Sequence, residues 1–111
     1  MNWNHLTSED QLKAAINESE ETPVLIFKHS TRCSISSMAL NRLERSWSES
    51  EGIKPYYLDL IQFRSLSNQI ASQLNVEHQS PQAILIKNKA VVHHSSHMGI
   101  SYSDISKSVI A

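Results

Sequence analysis

Apolar residues along this chain follow two different periods. Val24-Leu25-Ile26-Phe27 and Ala83-Ile84-Leu85-Ile86 are continuous apolar runs, of a length that suits strands buried on both faces. Lys54 to Ile61, rich in aromatic and apolar residues, predicts a further strand. Between these runs the period changes to three or four. Leu12, Ala15 and Ile16 share one face of a helix from Glu9 to about Glu20. Ile35, Ala39 and Leu43, with Met38 beside them and Trp47 extending the row, predict a helix of about four turns from Ser34. Leu66, Ile70 and Leu74 predict one from Arg64 or Ser65 to Asn75, and Ile105, Val109 and Ile110 are expected to pack down a last helix.

Punctuation between these segments agrees with them. Thr7 or Ser8 is placed to cap the first helix, with Asp10 or Gln11 as the capping-box partner, and Ser101 with Asp104 repeats the arrangement at the last. Gly52 stops the second helix. Lys87-Asn88-Lys89 is a tight turn, so Ala83–Ile86 and Ala90–His93 should form an antiparallel hairpin. Met1 to His5, around Trp3, is short enough for a small edge strand. Strand, helix, strand from Val24 to Ile61 is a βαβ unit with a right-handed crossover. The class is α/β, with a central mixed β-sheet flanked by helices, in one domain over residues 1–111.

Composition narrows the function. A net charge of -1 argues against a general nucleic-acid partner. No apolar run approaches the roughly 20 residues that span a bilayer, and MNWNHLTSED lacks the regions of a signal peptide. A lone cysteine, Cys33, fits a reducing compartment, so the cytoplasm is the expected location. Adjacent His93 and His94 point to opposite faces of a strand. With His97 nearby they are still not expected to converge on a metal.

Cys33 carries the candidate chemistry. It stands where the strand Val24–Phe27 has passed through the polar exit Lys28-His29-Ser30-Thr31-Arg32 and the next helix begins. Unpaired N–H groups and the helix dipole favour negative charge there, and the thiolate is the reactive form of cysteine. His29 could favour that charge if its ring turned toward the sulfur, though solvent or structural roles are expected for Lys28 and His29.

The order β-α-β-α-β-β-α, with the cysteine after the first buried strand, resembles the thioredoxin-like fold. Cys33-Ser34-Ile35-Ser36 stands where that fold often has C-x-x-C. More narrowly, the chain resembles the monothiol bacilliredoxins. The shared pieces are Lys28 to Cys33, Ile35-Ser36, Tyr57-Leu58-Asp59, Ser80-Pro81-Gln82, Ser95-Ser96-His97 and Ile100-Ser101. It departs from the family in having Ser34 where proline usually follows the cysteine.

The resemblance implies a thiol–disulfide oxidoreductase that removes bacillithiol from protein mixed disulfides. Cys33 would be its catalytic residue, bacillithiol its thiol co-substrate, no cofactor would be bound, and bacillithiolated client proteins would be its partners, with no nucleic acid and no membrane. It implies a cis bond at Pro81, with Ser80 and Pro81 as the docking edge. Arg32 would pair with the carboxylates of bacillithiol's malate portion. Ser36 would offer a hydroxyl to the thiolate, and His97 and Ser101 would lie on the substrate side. Two alternatives stay open: a glutaredoxin-like module that ligates an iron–sulfur cluster through Cys33 and an external thiol, and a thioredoxin-like interaction protein with an inert cysteine.

Overall fold

Val24–His29 forms the central strand of a five-stranded sheet: its first four residues are apolar, and all six are buried because both faces are covered. The computed structural model describes residues 1–110; Ala111, the last residue of the expected domain, lies outside the described residues. The elements are β1 (Asn4–His5), α1 (Glu9–Glu18), β2 (Val24–His29), α2 (Ser34–Ser46), β3 (Lys54–Asp59), α3 (Arg64–Leu74), β4 (Gln82–Lys87), β5 (Ala90–Ser96) and α4 (Tyr102–Ile110), with short 3-10 turns at Glu49–Glu51 and His97–Gly99. Sheet order is β1-β3-β2-β4-β5. β3 runs parallel to β1 and β2, whereas β4 is antiparallel to β2 and to β5. The sheet is therefore mixed, as the turn at Asn88-Lys89 requires. No helix among the described residues is long and apolar enough to cross a membrane.

Alternation along β2 divides the core in two. Val24 and Ile26 face Leu12, Leu66 and Ile70 of α1 and α3, while Leu25 and Phe27 face Ala39 and Leu43 of α2 and Ile105 of α4. Within each helix the buried stripe follows the 3.6-residue period, but in α2 it is offset from the expected row. Ser36, Ala39 and Leu43 are buried, whereas Ile35 and Met38 are 39% and 51% exposed. Spacings of three and four aim a small serine at the sheet and leave Ile35 on the flank. At the last helix Ile105 is fully buried, but Ile110 is 84% exposed and does not pack down.

Two strands run further than their apolar runs. β2 continues through Lys28 and His29, which are 0% and 5% exposed, so the expected polar exit is part of the buried sheet. β5 continues through His94 to Ser96, opposite Gln82 to Ile84, with a bulge between Leu85 and Ile86. Its two histidines pair with Leu85 and Ile84 and so face opposite sides.

The start of α1 and the end of α3 follow the sequence, whereas α2 stops at Ser46, before the expected Gly52, which at φ 71° closes the 3-10 turn Glu49–Glu51 instead. Ser8 accepts from the Gln11 N–H at 3.2 Å at the start of α1. Asn75, in the left-handed region at φ 55°, closes α3. In the hairpin turn Asn88 and Lys89 both have positive φ, 54° and 64°, which matches the twist of the strands they join. That turn rests on the end of α1. The Ser19 carbonyl accepts from the Asn88 N–H at 2.7 Å, and the Ser19 hydroxyl accepts from the Lys89 N–H at 2.8 Å. Ser19 is 1% exposed, so the hydroxyl is the hairpin's internal partner. Ser19→Ala should therefore lower stability by about 1 kcal/mol, the usual worth of one intramolecular hydrogen bond. Urea denaturation of both proteins measures it, and an unchanged midpoint would refute the latch.

Candidate active site

All the parallel strands end, and the antiparallel β4 begins, on one rim of the sheet. β2 reaches this rim at Lys28, which pairs in register with Gln82 of β4. Cys33 follows β2 by four residues, and Pro81 precedes β4 by one. The Ser80–Pro81 bond is cis, as the resemblance implied. His97 joins the same rim through its backbone: its N–H donates to the Pro81 carbonyl at 3.1 Å, with His97 at φ 53°. Pro81 and His97 are thus brought together, and register carries both to the edge beyond which Cys33 lies.

Cys33 is half-buried and stands at the N-cap of α2, with φ -112° and ψ 121°. Its N–H donates to the Ser30 carbonyl at 3.2 Å, and its carbonyl accepts the first helical bond from Ser37 at 3.1 Å. No side chain caps this helix start, and no acidic residue lies in its first turn. The positive end of the helix is therefore free to act on the sulfur. Arg32, next to it, is exposed and makes no hydrogen bond or ion pair among the described residues.

Ser36 does not reach substrate. It is fully buried, and its hydroxyl is consumed beneath the loop. Ser36 Oγ accepts from the Ser30 N–H at 3.0 Å and lies 2.6 Å from His29 Nδ1. The hydroxyl therefore joins the Ser30 main chain and the His29 ring in one buried cluster. The expected donation from Ser36 to the thiolate is thus replaced by a tie between β2, the Ser30–Cys33 turn and α2. The His29 ring lies 5.9 Å from Phe27 and 5.5 Å from Tyr57. Burial holds its pKa below the usual histidine value, against the opposing pull of Asp59 and Glu44.

Ser101 stands at the start of α4, where its carbonyl accepts from the Ile105 N–H at 3.1 Å. Its connection to the rim is indirect. Arg42 of α2 donates to the carbonyls of Met98 and Ile100, binding the segment between His97 and Ser101 to the helix that carries Cys33. Arg42 was not among the sequence candidates, because a bond from guanidinium to backbone leaves no pairwise mark in a sequence.

Lys28 is the larger surprise. Its side chain leaves β2 on the α3 face, and Nζ donates to the Ser67 carbonyl at 3.1 Å and to His78 Nδ1 at 3.2 Å. Burial pushes its pKa down to about 8. In the folded chain Lys28 gives up its proton near pH 8, and in the unfolded chain only near the ordinary lysine value. The unfolded state binds more protons across that interval, so stability rises with pH there. The unfolding free energy of the protein should climb relative to Lys28→Met between pH 7.5 and 9.5. A difference independent of pH would show that Lys28 titrates normally.

Comparison with known proteins agrees with this geometry. The family model described as monothiol bacilliredoxin BrxC matches residues 4–105. A solved structure described as a candidate oxidoreductase with a thioredoxin fold is 34% identical, with a TM-score of 0.83 over 95% of this chain and 91% of that one. Thioredoxin from Malassezia sympodialis is 18% identical, with a TM-score of 0.72 over 98% and 89%. Oxidised thioredoxin from Plasmodium falciparum is 13% identical, with a TM-score of 0.74 over 99% and 100%. The last two show likeness of fold alone.

Proposed function

From the premise that this chain belongs to the monothiol bacilliredoxin family of thioredoxin-fold redox proteins, we propose that it removes bacillithiol from protein mixed disulfides through Cys33. The observation that carries the reading is a single, half-buried thiol at an uncapped helix N-terminus, on the sheet rim that also holds cis-Pro81. The Cys33 thiolate attacks the bacillithiol sulfur of the mixed disulfide. The bond between that sulfur and the client sulfur breaks, and the client leaves as a thiolate that takes a proton from water. Cys33 is left in a disulfide with bacillithiol. A second bacillithiol thiolate attacks this adduct, restoring Cys33 and releasing bacillithiol disulfide. Free thiols and a bacillithiol pool both belong to a reducing cytoplasm, which is the proposed location.

The remaining residues take supporting parts. The exposed Arg32 suits a carboxylate of the malate portion, and the backbone at Ser80 and Pro81 suits the client segment beside its modified cysteine. His97 borders that edge through its bond to Pro81. Ser101 is too indirectly connected to carry more than the start of α4. The chain has no second cysteine, so resolution falls to an external thiol.

The direct experiment is release of bacillithiol from a modified reporter protein. Cys33→Ser should drop it to the rate without enzyme, and retained turnover would remove Cys33 from the reaction. Ser36→Cys should place a resolving thiol one helical turn from Cys33. Its oxidised form should then lose two hydrogens by intact mass, and persistence of the bacillithiol adduct alone would contradict that spacing.

A further inference from the structure

Lys28 is fully buried, yet no carboxylate among the described residues meets its ammonium group. An ammonium inside a core costs far more than an apolar side chain of the same size, so what it holds in place matters. Its two acceptors belong to α3, through the Ser67 carbonyl, and to the segment between α3 and β4, through His78. That segment ends in the cis bond before Pro81.

The segment has few other supports. Val76 sits in the core, and the Glu77 carbonyl accepts from the Gln82 amide at 3.0 Å. His78 is its one side chain tied to β2, with the Ser67 hydroxyl 3.4 Å from the same ring nitrogen. Accepting from an ammonium requires Nδ1 to be unprotonated. Burial, Lys28 and Arg64 together keep the His78 pKa below the usual value, which preserves that state. Lys28 also pairs through its backbone with Gln82, the residue after Pro81. Lys28 thus grips both sides of the proline, by main chain after it and by side chain before it. Lys28 does this on the α3 face. The Cys33 loop is tied on the opposite face, through His29 and Ser36.

We infer that Lys28 and His78 are positioning residues for the Ser80–Pro81 edge, and that they set the reactivity of Cys33 toward disulfides carried on a polypeptide rather than toward small disulfides. The inference rests on the proposed reading of that edge as the client-docking ledge. A peptide lying along Ser80 and Pro81 uses the braced backbone. A small disulfide meets only the sulfur and its loop. In both cases the Cys33 thiolate attacks one sulfur, the old disulfide breaks, and the departing group leaves as a thiolate.

Two probes separate these cases: a synthetic peptide whose single cysteine is in mixed disulfide with bacillithiol, and 2-hydroxyethyl disulfide. Formation of the Cys33 adduct is followed by intact mass with the full chain. Lys28→Met should slow the peptide reaction about tenfold, as expected for loss of a charge-assisted bond, and change the small-disulfide rate by less than about twofold. His78→Leu, which removes the acceptor, should show the same split. His78→Asn, which keeps an acceptor near the Nδ1 position, should restore most of the peptide rate. The His78 pair decides the matter alone if Lys28→Met does not fold. Equal slowing with both probes, or an unchanged peptide rate, overturns the inference and leaves the oxidoreductase reading standing. Wild-type protein that reacts with neither probe overturns both.

Discussion

Two polar side chains are carried into the sheet at the end of β2, and each must find its partners inside the molecule. Lys28 and His29 are successive residues, so they leave opposite faces of the strand. An unpartnered polar group in such a place costs roughly 1–3 kcal/mol, and a charged one more. The partners come from three neighbours of the strand end: Ser36 of α2 for His29, and the Ser67 carbonyl of α3 with His78 of the segment before β4 for Lys28. Satisfying the strand end therefore also fixes the helix that presents Cys33 and the segment that leads to Pro81.

The monothiol character gains a physical counterpart here. Ser36 occupies the fourth position of the Cys33-Ser34-Ile35-Ser36 motif, where a resolving thiol would stand in a dithiol protein. Its hydroxyl accepts from the Ser30 N–H and shares a short hydrogen bond with His29 Nδ1. Sulfur forms weaker and longer hydrogen bonds, so a cysteine at this place would hold the turn less firmly. What is lost as a redox partner is retained as a structural one, and the attacking sulfur keeps a defined position without help from a second.

Much of the architecture was legible because burial follows period. Leu66, Ile70 and Leu74 marked α3 almost to its ends, and the Asn88-Lys89 turn marked the hairpin. Cys33 was legible from its place between a buried strand and a helix, and cis-Pro81 through the resemblance to the family. Lys28 and His29 were not, since polar residues after an apolar run look like an exit to solvent, and only the three-dimensional positions of Ser36, Ser67 and His78 make their burial tolerable. Ile35 misled for the opposite reason. It keeps the spacing of Ala39 and Leu43, but the stripe that meets the sheet is shifted by one residue toward Ser36. Arg42 and the positive φ of His97 act on or through main chain, which side-chain patterning does not record.

The borders of the sheet bear on how a larger molecule can approach. On one side β1 is only two residues long. On the other, β5 is interrupted by a bulge opposite Leu85 and Ile86, which increases local twist and breaks the regular row of donors and acceptors. Neither flank offers a long, straight rail on which a foreign strand could zip. The crest where the loops gather is left as the open approach for a larger molecule.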